Sequence, residues 1–249
     1  MFLEGYPFQF NGKGNFALDL LKNSRSLSKH LKKEHIQTEI WVKELAVDIV
    51  ISDHRYGFYS TQKKSIFLTH QYNLPPAPFS FFANLLHHRL IKKFQEVWIP
   101  DNTFHQLAGD LSRCPISNTV YLGSLSRFEN ANHTFLKEKN TLLISGPKAY
   151  WNDLKHKFEK QLKDGTIEII IGPENVQNLF KDYSITFVSS NDWILCDEVL
   201  LATKTLYGYC GYTTIMDLEF LKCDAHLIPC KGQYEQEYLF NLHFNKLFL

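Results

Sequence analysis

The sequence predicts an α/β fold of two parallel-sheet domains, and three observations carry that expectation. Short apolar runs rich in Val, Ile and Leu alternate with helical stretches, the pattern of sheets built from strand-helix-strand units. Nearly every predicted strand ends in polar or glycine residues, the edge at which open parallel sheets bind ligands. A polar, aperiodic segment, Glu129-Asn130-Ala131-Asn132-His133, separates the two series of strands and reads as an interdomain linker with a cleft beside it. The domains are therefore expected over residues 1–128 and 134–249.

In the first domain, residues 16–45 form a long amphipathic helical stretch with Lys22, Arg25, Lys29, Lys32 and Lys33 on its polar side. Strands are predicted at 47–52, 65–69, 97–100 and 120–123. Asp53, His54 and Arg55 follow the first strand, His70 and Gln71 the second, and Asp101 the third. Of these, Asp53, Arg55 and His70 are the acid, base and charge candidates; a loop-capping Asp53 and a structural His70 stand beside that reading. Phe79-Ser80-Phe81-Phe82-Ala83-Asn84-Leu85-Leu86, followed by His87, His88, Arg89, Lys92 and Lys93, is aromatic and then basic. Such a segment lies on a membrane surface or packs into a core, and both readings stay open. Adjacent His87 and His88 point to different faces of a helix, so no metal site is expected there.

In the second domain, strands are predicted at 141–145, 168–171, 185–188, 205–209 and 225–229. Ser145 and Gly146 end the first of these. The stretch from Thr205 to Tyr238 is the most informative part of the chain. A strand runs into the turn Cys210-Gly211-Tyr212, and Thr213-Thr214-Ile215-Met216-Asp217-Leu218 opens a helix capped by a threonine. Helix N-termini carry unsatisfied N–H groups and a partial positive charge, so the amides of Gly211, Tyr212, Thr213 and Thr214 suit a diphosphate. Asp217, one turn on, is placed to accept ribose hydroxyls. Gln233, Gln236 and Glu237 open the last helix with groups that read sugar hydroxyls.

These blocks carry a resemblance. The run 211–218, with Leu227-Ile228-Pro229 and Gly232-Gln233-Tyr234-Glu235-Gln236-Glu237-Tyr238-Leu239, resembles the donor domain of two-domain (GT-B) glycosyltransferases, in the group of the peptidoglycan-precursor N-acetylglucosaminyltransferase. Upstream, Asp48-Ile49-Val50-Ile51-Ser52-Asp53-His54-Arg55-Tyr56-Gly57, Thr69-His70-Gln71, Val97-Trp98-Ile99-Pro100-Asp101, Leu107-Ala108-Gly109 and Tyr121-Leu122-Gly123-Ser124-Leu125-Ser126-Arg127-Phe128 resemble a branch of predicted glycosyltransferases in the same order. The resemblance implies two Rossmann-like domains, the first truncated by about 40 to 60 residues. Its glycine-rich acceptor loop with a general-base His has no counterpart, and the chain opens at Met1-Phe2-Leu3-Glu4-Gly5-Tyr6, with Gly12 and Gly14 preceded by no strand. Such a domain would expose sheet edges. Relatives place Arg-Ser where this chain has Tyr209-Cys210, and a basic residue near Ser145-Gly146-Pro147 where it has Ala149-Tyr150-Trp151. Two positive charges near the diphosphate are thereby expected to be lost.

Composition narrows the classes further. A formal charge of +1 argues against a nucleic-acid binder. Fourteen Lys and Arg face ten Asp and Glu in residues 1–126, against thirteen and sixteen thereafter. The basic first half fits an anionic acceptor or membrane surface as well as chance variation. Five cysteines without a C-x-x-C pair argue for reduced thiols. No apolar run approaches the roughly 20 residues of a membrane span, and the N-terminus lacks the order of a signal peptide. The expected location is cytoplasmic, with at most peripheral contact at the inner face of the membrane. No Asp-x-Asp occurs, which argues against the metal-dependent (GT-A) class.

Two functions follow. The first is a metal-independent glycosyltransferase moving a hexose or N-acetylhexosamine from a UDP-sugar, without a further cofactor, to an unidentified acceptor that could be lipid-linked. The second is a non-catalytic remnant of such an enzyme, acting as a nucleotide-binding or partner-binding module.

Overall fold

A computed structural model describes residues 24–76, 80–131 and 135–245. Met1 to Tyr6, Gly12, Gly14, Phe16, Lys22, Phe79, Asn132, His133 and the Arg25 side chain, all named above, lie outside the described residues. The chain divides into two compact units between Ser124 and Leu125.

The first unit opens with helix α1 (Ser24–Glu44), which buries Glu34, Thr38 and Val42 at four-residue spacing and exposes Lys29, Lys32 and Lys33. Strands β1 (Ile49–Asp53), β2 (Lys64–Leu68), β3 (Glu96–Ile99) and β4 (Thr119–Tyr121) pair in chain order, all parallel. Phe67, Val97 and Ile99 face a core completed by Tyr72, Ile91 and Phe94. Helix α2 (Ser80–Ile91) contributes Ala83, His87 and Ile91 to the interior. Its Phe81, Phe82 and Leu85 are 73%, 67% and 63% exposed, so this aromatic run is not core. Among the described residues β1 pairs only with β2, and its Ile49 and Ile51 are about half exposed at that edge.

The second unit contains β5 (Lys139–Leu143), α3 (Trp151–Lys157), α4 (Glu159–Lys163), β6 (Ile169–Gly172), β7 (Thr186–Ser189), α5 (Trp193–Leu201), β8 (Thr203–Tyr209), α6 (Tyr212–Leu221), β9 (Asp224–Ile228) and α7 (Tyr234–His243). Its parallel sheet has the order β7-β6-β5-β8-β9. The sheet is covered on both faces, because neighbouring strand residues alternate sides. Leu142 and Ile170 pack with Trp151, Leu154 and Phe158. Ile171 and Leu206 pack with Phe128, Cys196, Leu200 and Leu221. A Cβ on Gly208 would stand 3.1 Å from the Leu143 carbonyl, so glycine lets β8 lie close to β5.

All nine predicted strands are present, each within two residues of its expected ends. The expected α/β class with two Rossmann-like parallel sheets is thus what the chain adopts. No helix among the described residues is long and apolar enough to cross a membrane.

Candidate functional site

The chain leaves β5 towards β6 and β7, then returns to lay β8 on the other side of β5. Loops after β5 and β8 therefore diverge, and a crevice opens at this switch point outside the carboxyl ends of the strands. A cavity of about 610 Å³ lies there, within the size range of small-molecule sites. Of the nine predicted donor residues it is lined by Ser145, Gly146, Gly211, Thr213, Thr214, Asp217, Gln233 and Gln236. Tyr212 is the exception. Its residue is buried, 5% exposed, and outside the cavity lining.

The turn after β8 departs from expectation in its cap. Helix α6 starts at Tyr212, and its N-cap is Gly211, which has no side chain to satisfy the first turn. The Gly211 amide donates back to the Tyr209 carbonyl at 2.9 Å. The amides of Thr213 and Thr214 have no acceptor among the described residues, leaving them for an anion. Gly211 has an ordinary φ of −83°, and a Cβ on it would meet only Thr214 Oγ1, at 3.9 Å. Neither backbone strain nor packing requires this glycine. The space before it is open.

Tyr209 and Tyr150 answer for the absent basic residues in a structural way. Tyr209 is buried and donates from Oη to the Tyr150 carbonyl at 2.9 Å, and burial pushes its phenol well above the ordinary value. The Trp151 indole donates to the Gly146 carbonyl at 3.1 Å. The first of these bonds staples the 145–151 loop to β8, and the second closes the loop on itself. Gly146, at φ 76°, makes the turn in a backbone region closed to most side chains. Buried Cys210 is held protonated, its thiol pushed up to about 12 by desolvation.

A cation does reach the cavity, from a segment to which the residue pattern assigns no charge role. Arg127 lines it, donating from Nε to Asp197 Oδ1 at 2.6 Å, with Nη1 3.7 Å from Asp217 Oδ2. Its guanidinium lies over the Phe128 ring. Ser126 Oγ donates to Asp217 Oδ1 at 2.7 Å. Desolvation raises the Asp217 pKa, against the opposing pull of Ser126 and Arg127. Asp217 is thus fixed in direction before any ligand arrives. At the other end of the cavity, Gln236 Oε1 accepts the Cys230 amide at 2.9 Å, which turns the Gln236 amino group outward as a donor. The Gln233 side chain has no partner among the described residues.

In the first unit the three acid, base and charge candidates separate. Arg55 is bound by Nε to the carboxylate of buried Glu34, which also accepts the Gly57 amide at 3.0 Å. Asp53 is exposed at the end of β1. His70 lies two residues after β2, its Nε2 3.3 Å from the Gln71 side-chain Nε2, with its ring 6.0 Å from that of His54. His54 itself has a positive φ of 56°. Asp101 is structural, its buried carboxylate accepting from the amides of Asn102, Leu107 and Ala108 and from Ser112 Oγ. His87 and His88 donate to the carbonyls of Gln71 and Tyr72 respectively. Among the described residues no group of three His, Cys, Asp or Glu is spaced to hold a metal ion.

No family model and no curated protein matches the sequence. Solved structures do. Spinosyn rhamnosyltransferase SpnG complexed with thymidine diphosphate matches at 11% identity and a TM-score of 0.56, over 88% of this chain and 64% of its own. Staphylococcus aureus MnaA in a co-structure with UDP matches at 12% identity and a TM-score of 0.55, over 89% and 74%. Acinetobacter baumannii MurG matches at 15% identity and a TM-score of 0.48, over 87% and 63%. The chain thus spans less than two thirds of the length of MurG and SpnG. With its two parallel sheets, it has a GT-B glycosyltransferase-like fold over part of the length of those proteins.

Proposed function

We propose that the chain binds a UDP-sugar through its second unit and transfers a hexose or N-acetylhexosamine to an acceptor hydroxyl. The observation that carries this reading is the pair of uncapped amides, Thr213 and Thr214, opening on a cavity at the β5/β8 switch point. SpnG and MnaA, which share the fold, are known with thymidine diphosphate and UDP.

In this reading the diphosphate lies over Gly211 to Thr214, Ser145 and Gly146 approach its other side, and Asp217 accepts the ribose hydroxyls. Gln233 and Gln236 take the hexose. The acceptor hydroxyl attacks the anomeric carbon and releases its proton to a nearby base or to water, the bond to the diphosphate oxygen breaks, and the leaving charge falls on preorganised amides rather than on a metal. Asp53, Arg55 and His70 remain the candidates for acceptor chemistry in the first unit. Of the three, Arg55 is committed to Glu34. A lipid-linked acceptor suits the exposed Phe81, Phe82 and Leu85, with Lys92 and Lys93 following them, because apolar and basic groups together hold a peripheral membrane surface.

A second reading, a nucleotide-binding module without transfer, is favoured by the engagement of Arg55 with Glu34 and the exposure of Asp53. One experiment separates them: detection of UDP released from UDP-glucose and UDP-N-acetylglucosamine, beside calorimetric titration with UDP. Binding with turnover supports transfer, and binding without turnover supports the module. Absence of both overturns the pair.

A further inference from the structure

We propose that the groove between α1 and α2 of the first unit binds a free single-chain anionic amphiphile, an alkyl carboxylate of the fatty-acid kind. The inference is independent of the donor-site reading, because the groove belongs to the first unit and shares no lining residue with the donor cavity.

The groove encloses about 410 Å³, within the range of small-molecule sites. Its walls are helical. The inward stripe of α1 is Glu34, Thr38 and Val42, and that of α2 is Ala83, His87 and Ile91. Beside those stripes, Leu27 and Leu31 on α1 and Leu86 and Leu90 on α2 each recur at four-residue spacing, so two rows of leucines border one opening. None of the four is buried. Leucines at a closed helix–helix contact would be; these line a trough whose apolar surface stays wet until a ligand covers it.

The charges in the groove have one sign. Lys32 from α1 and Lys93 from the turn after α2 line it together with His35, and among the described residues no acid does. Lys93 Nζ stands 5.1 Å from the centroid of the Tyr59 ring. Partial desolvation, with Arg89 nearby, lowers its pKa, as happens to a cation that has no carboxylate beside it. Glu39, 3.9 Å from His35 Nε2, already accepts from Ser60 Oγ and from the amide and hydroxyl of Thr61. His35 Nδ1–H donates to the Tyr59 carbonyl at 2.9 Å and the two rings stack at 4.1 Å, which holds both in place. An alkyl chain suits the leucine rows and a carboxylate suits the two lysines, so a chain with one anionic head uses the whole groove. Phe81, Phe82 and Leu85, the residues suited to a membrane surface, lie outside its lining. Lys93 is three residues before β3 and Tyr59 five before β2, which puts the head-group end at the amino-terminal edge of the sheet. His54, His70 and Asp101 stand at the opposite edge.

The test titrates wild type, Lys32→Gln and Lys93→Gln with decanoate, octanoate, acetate and decyl maltoside, all below micelle-forming concentrations, and follows thermal unfolding of each variant. Wild type is expected to bind decanoate saturably and octanoate about tenfold more weakly, because two methylenes fewer are covered. Acetate, which lacks the chain, and decyl maltoside, which lacks the charge, should each bind at least about tenfold more weakly than decanoate. Lys93→Gln and Lys32→Gln should each lower decanoate affinity about 3- to 10-fold, leave decyl maltoside within about twofold, and leave the unfolding midpoint in place. Absence of decanoate binding, equal binding of decyl maltoside, or full affinity in both lysine variants overturns the inference. Displacement of decanoate by UDP also overturns it, since the anion would then sit in the second unit. Affinity for phosphatidylglycerol vesicles with none for decanoate overturns it in favour of a membrane surface. The donor-site reading stands or falls separately, on UDP alone.

Discussion

Ser126 Oγ donates to Asp217 Oδ1 at 2.7 Å across 91 positions of chain, so the carboxylate assigned to ribose is aimed by a residue from the opposite end of its unit. Because desolvation raises the Asp217 pKa, the charge is held at a cost, and Ser126 and Arg127 reduce that cost. Ser126→Ala is expected to weaken UDP binding about 3- to 10-fold and Asp217→Ala about 10- to 100-fold, measured calorimetrically.

The same group gives a pH signature with a definite sign. A folded pKa above the unfolded one means that Asp217 contributes stability below the unfolded value and loses it as pH rises through the folded one. Asp217→Asn should therefore raise the unfolding midpoint at neutral pH while impairing UDP binding. In wild type, UDP affinity should decline on acidification at a higher pH than an ordinary aspartate would give. A midpoint that drops in Asp217→Asn would show the carboxylate to be structural.

Two glycines separate function from packing. Gly211→Ala adds a methyl into open space at an ordinary φ, so stability should fall only by the N-cap preference of glycine over alanine, about 1 kcal/mol or less, while UDP affinity falls roughly tenfold. Gly208→Ala pushes a Cβ to 3.1 Å from the Leu143 carbonyl and should destabilise the second unit by about 1 to 3 kcal/mol. Denaturant unfolding and titration of both variants check the contrast.

The strands were legible because each is a short apolar run bounded by polar or glycine residues, and the order of the second sheet follows from strand-helix-strand winding. The turn from Tyr209 to Asp217 and the segment at Gln233 and Gln236 were legible for a different reason: their residues are neighbours in sequence as well as in space. Arg127 was not. It meets Asp217 only through tertiary structure. The Tyr212 ring is buried, because the first helical position of α6 points inward, and only its backbone belongs to the turn. In α2 the buried stripe is Ala83, His87 and Ile91. The polar ring of His87 hides that stripe from a count of apolar residues, which left the core and surface readings of Phe81 and Phe82 both open until the structure put these rings on the surface.

His87 supplies a prediction for the first unit. Burial lowers its pKa to about 4, its Nε2–H donates to the Gln71 carbonyl at 2.8 Å, and Nδ1 accepts from Tyr56 Oη at 2.6 Å. A depressed folded pKa means stability present above the unfolded value near 6.5 and lost as pH falls towards 4, on the order of 3 kcal/mol across that window. His87→Gln should flatten this dependence in denaturant titrations between pH 7 and pH 4. An unchanged slope would assign the acid lability to another group.

The central claim is that backbone N–H groups at the start of α6 neutralise a diphosphate, and amide NMR on addition of UDP tests it most directly. The account predicts saturable shifts whose largest downfield proton changes fall on Thr213 and Thr214, reproduced in part by pyrophosphate. Those two resonances remaining fixed at saturating UDP, with shifts confined to other residues or absent, would contradict it.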